Sequence, residues 1–158
     1  MNAPAELPSP IGVIVVDHGS RREESNQMLL EVVEMFRQHG SYSLVEPAHM
    51  EIARPSLQDA FDQCVQKGAC SVLVFPYFLL PGRHWKKDIP ALAEQAAARH
   101  PGVPYLVTAP LAVHPLMARI MQQRMEHCQQ YAAGKAEACE VCRGDGDCGI
   151  RTAATNSG

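Results

Sequence analysis

Three residues far apart in the chain occupy the same place relative to an apolar run. His18 follows residues 11–16 (IGVIVV), Glu51 stands near the end of residues 44–52, and His84 follows residues 72–75 (VLVF) after a Pro81-Gly82 break. Each run is β-branched or apolar and of strand length. In a parallel sheet the carboxyl ends of successive strands lie on one edge, where open α/β sheets collect their ligands. Two imidazoles and a carboxylate on that edge suit a divalent transition metal with coordination positions left open. A single loop histidine is ordinarily a surface residue; the shared topological position of His18, Glu51 and His84 is what argues for a site. His114, which precedes the last helical segment, is a possible outlying member. His39, His100 and His127 fall at helix ends, where dipole contacts or exposure account for them, and the role of His49 is left open.

The elements that must position these residues alternate. Residues 24–38 carry Met28, Leu29, Val32, Val33 and Phe36 at helical spacing, with Gly40 closing the helix. Arg54-Pro55-Ser56 reads as a helix start, followed by Leu57, Ala60, Phe61, Cys64 and Val65 at 3,4 spacing. The pattern predicts a third helix from about residues 86–90, with proline tolerated in its first turn, a short strand over 105–108 and a long helix over 116–130. His84 itself is expected on a loop. Strands alternating with helices imply an α/β fold with a mainly parallel sheet covered by helices on both faces; the alternation does not determine the strand order, for which a flavodoxin-like arrangement is the expectation.

A chain of 158 residues with 46% hydrophobic and 20% charged residues has the composition of a globular domain with a real core. Its formal net charge of -3 gives no electrostatic case for nucleic acid or a membrane surface. No apolar run approaches the ~20 residues of a membrane span. The lead-in MNAPAELPSP has neither a basic nor an apolar stretch of signal-peptide type. The expected address is the cytoplasm, with the plastid stroma as the alternative if a transit peptide has been removed. The expected organisation is an extension over 1–10, an α/β domain over 11–130, a Cys-rich tail over 131–150 and a disordered end over 151–158.

Six cysteines are present. Cys64 and Cys70, at a helix–strand junction, read as small buried hydrophobes. Cys128, Cys139, Cys142 and Cys148 cluster in the C-terminal appendage, where CEVCRGDGDC is a turn-rich loop that cannot build a core. Clustered cysteines outside an oxidising compartment suggest a metal site, and four thiolates suit zinc or an iron–sulfur cluster equally on count.

The motifs VVDHGSR at 15–21, EIARPS at 51–56 and VLVFPYFLLPGRHWKKDIP at 72–90 resemble the short class II chelatases, the sirohydrochlorin ferrochelatase and cobaltochelatase group. The resemblance covers roughly residues 11–128, with the motifs in family order. It implies a one-lobe chelatase fold, a homodimer whose two chains form the cleft, and metal held by His18 and His84 with Glu51 assisting. The chemistry suits these residue types: insertion strips water from the ion and removes two pyrrole N–H protons, and imidazole both holds Fe²⁺ or Co²⁺ reversibly and accepts a proton near neutral pH. Neither a P-loop nor GxGxxG is present. Sirohydrochlorin bears many carboxylates, which Arg21, Arg54, Arg83 and Lys86 beside the motifs are placed to dock. Phe78, Leu79, Leu80 and Trp85 either face the macrocycle or pack beneath the loop.

The segments MEHC, AGKAEAC and CEVCRGDGDC resemble the tail of plant-type sirohydrochlorin ferrochelatases, which carries a [2Fe–2S] cluster. That likeness makes Cys128, Cys139, Cys142 and Cys148 its ligands; the rival is Zn²⁺, since 139–146 also fits one C-x-x-C-x-G-x-G repeat of the DnaJ-type chaperones. The expectation is Fe²⁺ insertion giving siroheme. The alternatives are Co²⁺ insertion for cobalamin and an iron carrier or redox sensor without turnover. A phosphoryl-transfer site at Asp17-His18-Gly19 lacks any phosphate-cradling loop.

Overall fold

The computed structural model describes residues 6–142. The chain divides into two compact units, one ending at Ala112 and the other beginning at Val113. The first contains a parallel four-stranded sheet in the order β2-β1-β3-β4, formed by β1 (Ile11–Asp17), β2 (Leu44–His49), β3 (Ser71–Pro76) and β4 (Tyr105–Val107). The order, which the alternation of elements does not determine, is the flavodoxin-like one.

Central β1 is buried on both faces, which is why its sequence is continuously apolar rather than alternating. Val13 and Val15 pack with Val45 against Leu29 and Val33 of α1 (Glu23–His39). Ile14 and Val16 point the other way, into a larger cluster with Val72, Val74, Leu57 and Phe61 of α2 (Leu57–Gln66) and Ile89, Ala93 and Ala96 of α3 (Ile89–Ala97). Gly12 lets α2 approach β1 closely: a Cβ there would stand 2.9 Å from Cys64 and 3.1 Å from Ala69. Cys64 is therefore the buried hydrophobe expected, its thiol pushed up to about 12 by burial.

Cys70 corrects the reading made with it. It is exposed, because Ala69 takes the buried position ahead of β3 and turns Cys70 outward. His100 also does more than end a helix: its Nε2 lies 2.5 Å from Asp62 Oδ1 and its ring stacks on Phe61, joining the segment after α3 to α2.

The second unit contains α4 (Pro115–Ala132), none of whose residues is buried. His114 caps it, its Nδ1 accepting the Leu116 N–H at 3.2 Å. His127 lies within α4 rather than at its end, its Nε2 meeting the carbonyl of Glu137 beyond the helix at 3.0 Å, and Arg124 of the same helix pairs with Glu140. No helix among the described residues is long and apolar enough to cross a membrane.

Candidate active site

The carboxyl edge of the sheet is built by continuing strand-like pairing into its loops. Beyond β1 and β2, the Met50 N–H donates to the Asp17 carbonyl at 2.8 Å and the Glu51 N–H to the His18 carbonyl at 3.2 Å. On the other side of β1, Tyr77 N–H reaches the Val16 carbonyl at 2.7 Å. The segments carrying His18 and Glu51 are thus laced backbone to backbone. Gly19 closes over them at φ +80, where a Cβ would lie 2.1 Å from the Glu51 carbonyl oxygen. Only glycine fits there.

His18 lies between two rings. Its centroid is 4.3 Å from Phe78, tilted, and 4.7 Å from His84, edge to face at 88°. His84 does not sit on a loop, as its Pro-Gly flank suggested. It opens a π-helical turn, His84–Asp88, in which the Ile89 N–H returns to the His84 carbonyl, and α3 continues from it. Such turns occur mostly at functional positions. Here it brings the Asp88 carboxylate within 2.7 Å of His84 Nδ1. With Nδ1–H donating to that carboxylate, Nε2 is the nitrogen left to act as ligand or base.

Glu51, His84 and Asp88 line one cavity of about 410 Å³ with Met50, Ala91 and Leu92. Both histidines and Glu51 therefore occupy the same edge, and the two imidazoles touch. They do not form a ready cage: among the described residues no three His, Cys, Asp or Glu side chains are grouped to hold an ion. A pair of adjacent imidazoles at an open cavity is suited to take up a divalent ion and let it go again.

The predicted neighbours divide. Phe78 is 7% exposed and packs under His18, whereas Leu79 and Leu80 are open to solvent at 59% and 66%. Trp85 packs beneath the loop, its Nε1–H donating to the Thr108 carbonyl at 2.9 Å. Among the cations, Arg21, Arg83 and Lys86 are exposed, but Arg54 is engaged with Asp59 at 2.6 Å. His114 lies in the second unit as a helix cap. Sequence reasoning missed Asp88 and the pairing of His49 with Asp17. The i,i+4 spacing of His84 and Asp88 was the available signal for the first.

Of the four appendage cysteines, Cys148 lies outside the described residues. Cys139 and Cys142 form a turn closed by the Cys142 N–H on the Cys139 carbonyl at 3.1 Å. The backbone N–H groups of Cys142 and Val141 lower the pKa of the Cys139 thiol. Amides aimed at that sulfur favour the thiolate that a metal or an iron–sulfur cluster requires, so this half of the set fits either group.

A parallel α/β sheet whose carboxyl edge carries paired imidazoles beside an open cavity has side chains suited to a transiently held metal ion. The chain belongs to the CbiX family of class II chelatases, whose model matches residues 12–128. It is 53% identical over 137 residues to the chloroplastic sirohydrochlorin ferrochelatase of Arabidopsis thaliana, covering 87% of this chain and 61% of that protein. It is 34% identical to a sirohydrochlorin cobaltochelatase of Priestia megaterium, over 82% of this chain and 42% of the relative. Among solved structures, SirB from Bacillus subtilis with Fe³⁺ superposes with a TM-score of 0.69 at 28% identity, over 73% of this chain and 46% of that one. The chain thus spans from about two fifths to three fifths of the length of these relatives.

Proposed function

We propose that the protein is a sirohydrochlorin ferrochelatase, inserting Fe²⁺ into sirohydrochlorin to give siroheme with release of two protons. The observation that carries this reading is the His18–His84 pair, 4.7 Å between centroids, beside the cavity that Glu51 and Asp88 line. The identity with the Arabidopsis ferrochelatase supports iron as the metal substrate. His18 and His84 take up the ion through neutral ring nitrogens, and Asp88 holds His84 in the tautomer that leaves Nε2 toward the metal. Each insertion replaces two pyrrole N–H bonds with metal–nitrogen bonds, so two protons must leave. Glu51, exposed at the cavity, is placed to pass them to water. Arg21, Arg83 and Lys86 receive the carboxylates of the macrocycle rim.

Anaerobic insertion of Fe²⁺ and of Co²⁺, followed by absorbance for wild type and His84→Ala, tests the assignment. Wild-type acceleration that the variant loses is the expected result, and absence of acceleration by wild type would leave only binding of iron as carrier or sensor. Preference for Co²⁺ would favour the cobaltochelatase reading that the Priestia relative supports.

Two finer assignments belong to the same reading. Cys128, Cys139, Cys142 and Cys148 would hold a [2Fe–2S] cluster, with Zn²⁺ as the alternative, and the cluster would supply redox chemistry. Cys142→Ser should abolish its visible absorption, and an unchanged spectrum would remove the assignment. Two copies of the chain pair to complete the cleft, as the family resemblance implies. The compartment is the cytoplasm or, as for the Arabidopsis relative, the plastid.

A further inference from the structure

Next to His18 in the chain, Asp17 pairs with a buried histidine that the proposed reaction does not use. His49 is 1% exposed, at the end of a strand whose neighbours are apolar, and its Nδ1 stands 2.6 Å from Asp17 Oδ1. The same Asp17 oxygen accepts the Gly19 N–H at 2.9 Å. Asp17, His18 and Gly19 therefore form an Asx turn, closed by the Asp17 carboxylate, with His18 at its middle. The other end of the His49 residue is fixed as well, its backbone N–H donating to the Pro55 carbonyl at 2.8 Å. A buried imidazole held at both side chain and backbone has one orientation, and so does the carboxylate it grips.

Resting on the chelatase reading, we infer that His49 and Asp17 are positioning residues that set the direction in which His18 presents its ring to the incoming metal. The geometry runs in one chain of contacts. His49 donates its Nδ1–H to Asp17, and Asp17 fixes the amide of Gly19. The turn so closed places the His18 ring against Phe78 and edge-on to His84. Without the carboxylate, nothing in the Asp17 side chain would hold the Gly19 amide, and the residue between them would gain freedom about its backbone. His84 has its own carboxylate, Asp88, bonded directly to the ring. No ring hydrogen bond to His18 appears among the described residues, so its orientation is carried by the turn. The two metal-facing imidazoles are thus steadied in different ways, one through its ring and one through its backbone.

The test uses the full chain with Asp17→Ala and Asp17→Asn. Asparagine keeps an oxygen that accepts both N–H groups, whereas alanine keeps neither. Co²⁺ binding is read by its ligand-field spectrum without sirohydrochlorin, and insertion kinetics give KM for metal and macrocycle separately. Asp17→Ala should weaken Co²⁺ binding and raise the metal KM by about tenfold, the size typical of partners that orient metal ligands, and alter the spectrum. Its KM for sirohydrochlorin should stay unchanged, and Asp17→Asn should restore most of the metal affinity. Co²⁺ binding by Asp17→Ala equal to wild type would overturn the inference. So would equal losses in both variants that track a lowered melting temperature. Should wild type bind Co²⁺ but accelerate no insertion, while Asp17→Ala still loses binding, the positioning role stands and the chelatase reading falls.

Discussion

His84 and Asp88 illustrate how one side chain decides what another can do. A histidine that donates from Nδ1 presents a lone pair at Nε2, and a carboxylate 2.7 Å away enforces that tautomer. Asp88→Ala should therefore lower kcat/KM for the metal by ten- to a hundredfold, with Asp88→Asn losing less, as measured by initial insertion rates against Fe²⁺ concentration. Both groups are partly exposed, so the melting temperature should move little. Ile52, directly after Glu51, carries the opposite kind of signature. It is a β-branched residue at φ 70, 65% exposed, and the Ala53 N–H returns across it to the Glu51 carbonyl at 2.7 Å. That is a tight three-residue turn in a conformation costly for a branched side chain. Ile52→Gly should relieve the strain and raise stability by about 1 kcal/mol in chemical denaturation, less the extra unfolded-state entropy of glycine.

The elements owe their placement to local chemistry of unequal legibility. Helix α2 begins where the residues say it should: Ser56 accepts the Asp59 N–H at 3.2 Å, and the Asp59 carboxylate accepts the Ser56 N–H at 2.8 Å. The Ser56 amide foremost, then Arg54, draws the Asp59 carboxyl down from 3.8 to about 2. A carboxylate whose folded pKa is depressed stabilises above its unfolded pKa and loses that contribution as pH falls toward the folded value. The capping box should accordingly weaken between about pH 4 and pH 2; Ser56→Ala should cost about 1 kcal/mol at neutral pH, whereas Asp59→Asn, which removes the titrating carboxyl, should flatten that acid limb in urea titrations. The same Asp59 also pairs with the exposed Arg54 at 2.6 Å, a contact that motif position alone did not show. Continuous apolar runs marked β1 and β3, and 3,4 spacing marked α1 and α2, because burial on two faces or one leaves those signatures. The π-helical turn left none: HWKKD holds no buried residue, so no periodicity distinguishes it from a loop. His49 was undecidable for a related reason, since its burial depends on an Asp17 partner 32 residues away.

At the scale of the molecule, the edge that carries His18, Glu51 and His84 also collects the exposed cations Arg21, Arg83 and Lys86, on a chain of net charge -3. The convergence on one edge was legible because parallel topology forces it; the cavity and the contact between imidazoles were not, since they depend on how loops pack after the strands end. A locally positive rim on a globally acidic molecule attracts a polycarboxylate at short range without drawing anions everywhere else. Arg54 already shares its charge with Asp59, so its replacement should change macrocycle binding less than replacement of an unpaired rim cation. On the proposed reading, joint replacement of Arg21, Arg83 and Lys86 with alanine should raise KM for sirohydrochlorin about tenfold or more with kcat largely kept, the pattern expected when lost groups bind substrate and transition state alike. Salt supplies the same test without mutation. Raising ionic strength from about 0.1 to 1 M shortens the screening length from ~10 to ~3 Å, so the wild-type KM for sirohydrochlorin should climb toward that of the triple variant. The variant's own KM should then be nearly indifferent to salt. A wild-type KM equally indifferent would mean that the macrocycle is held by its apolar faces, on Leu79 and Leu80, rather than by its carboxylates.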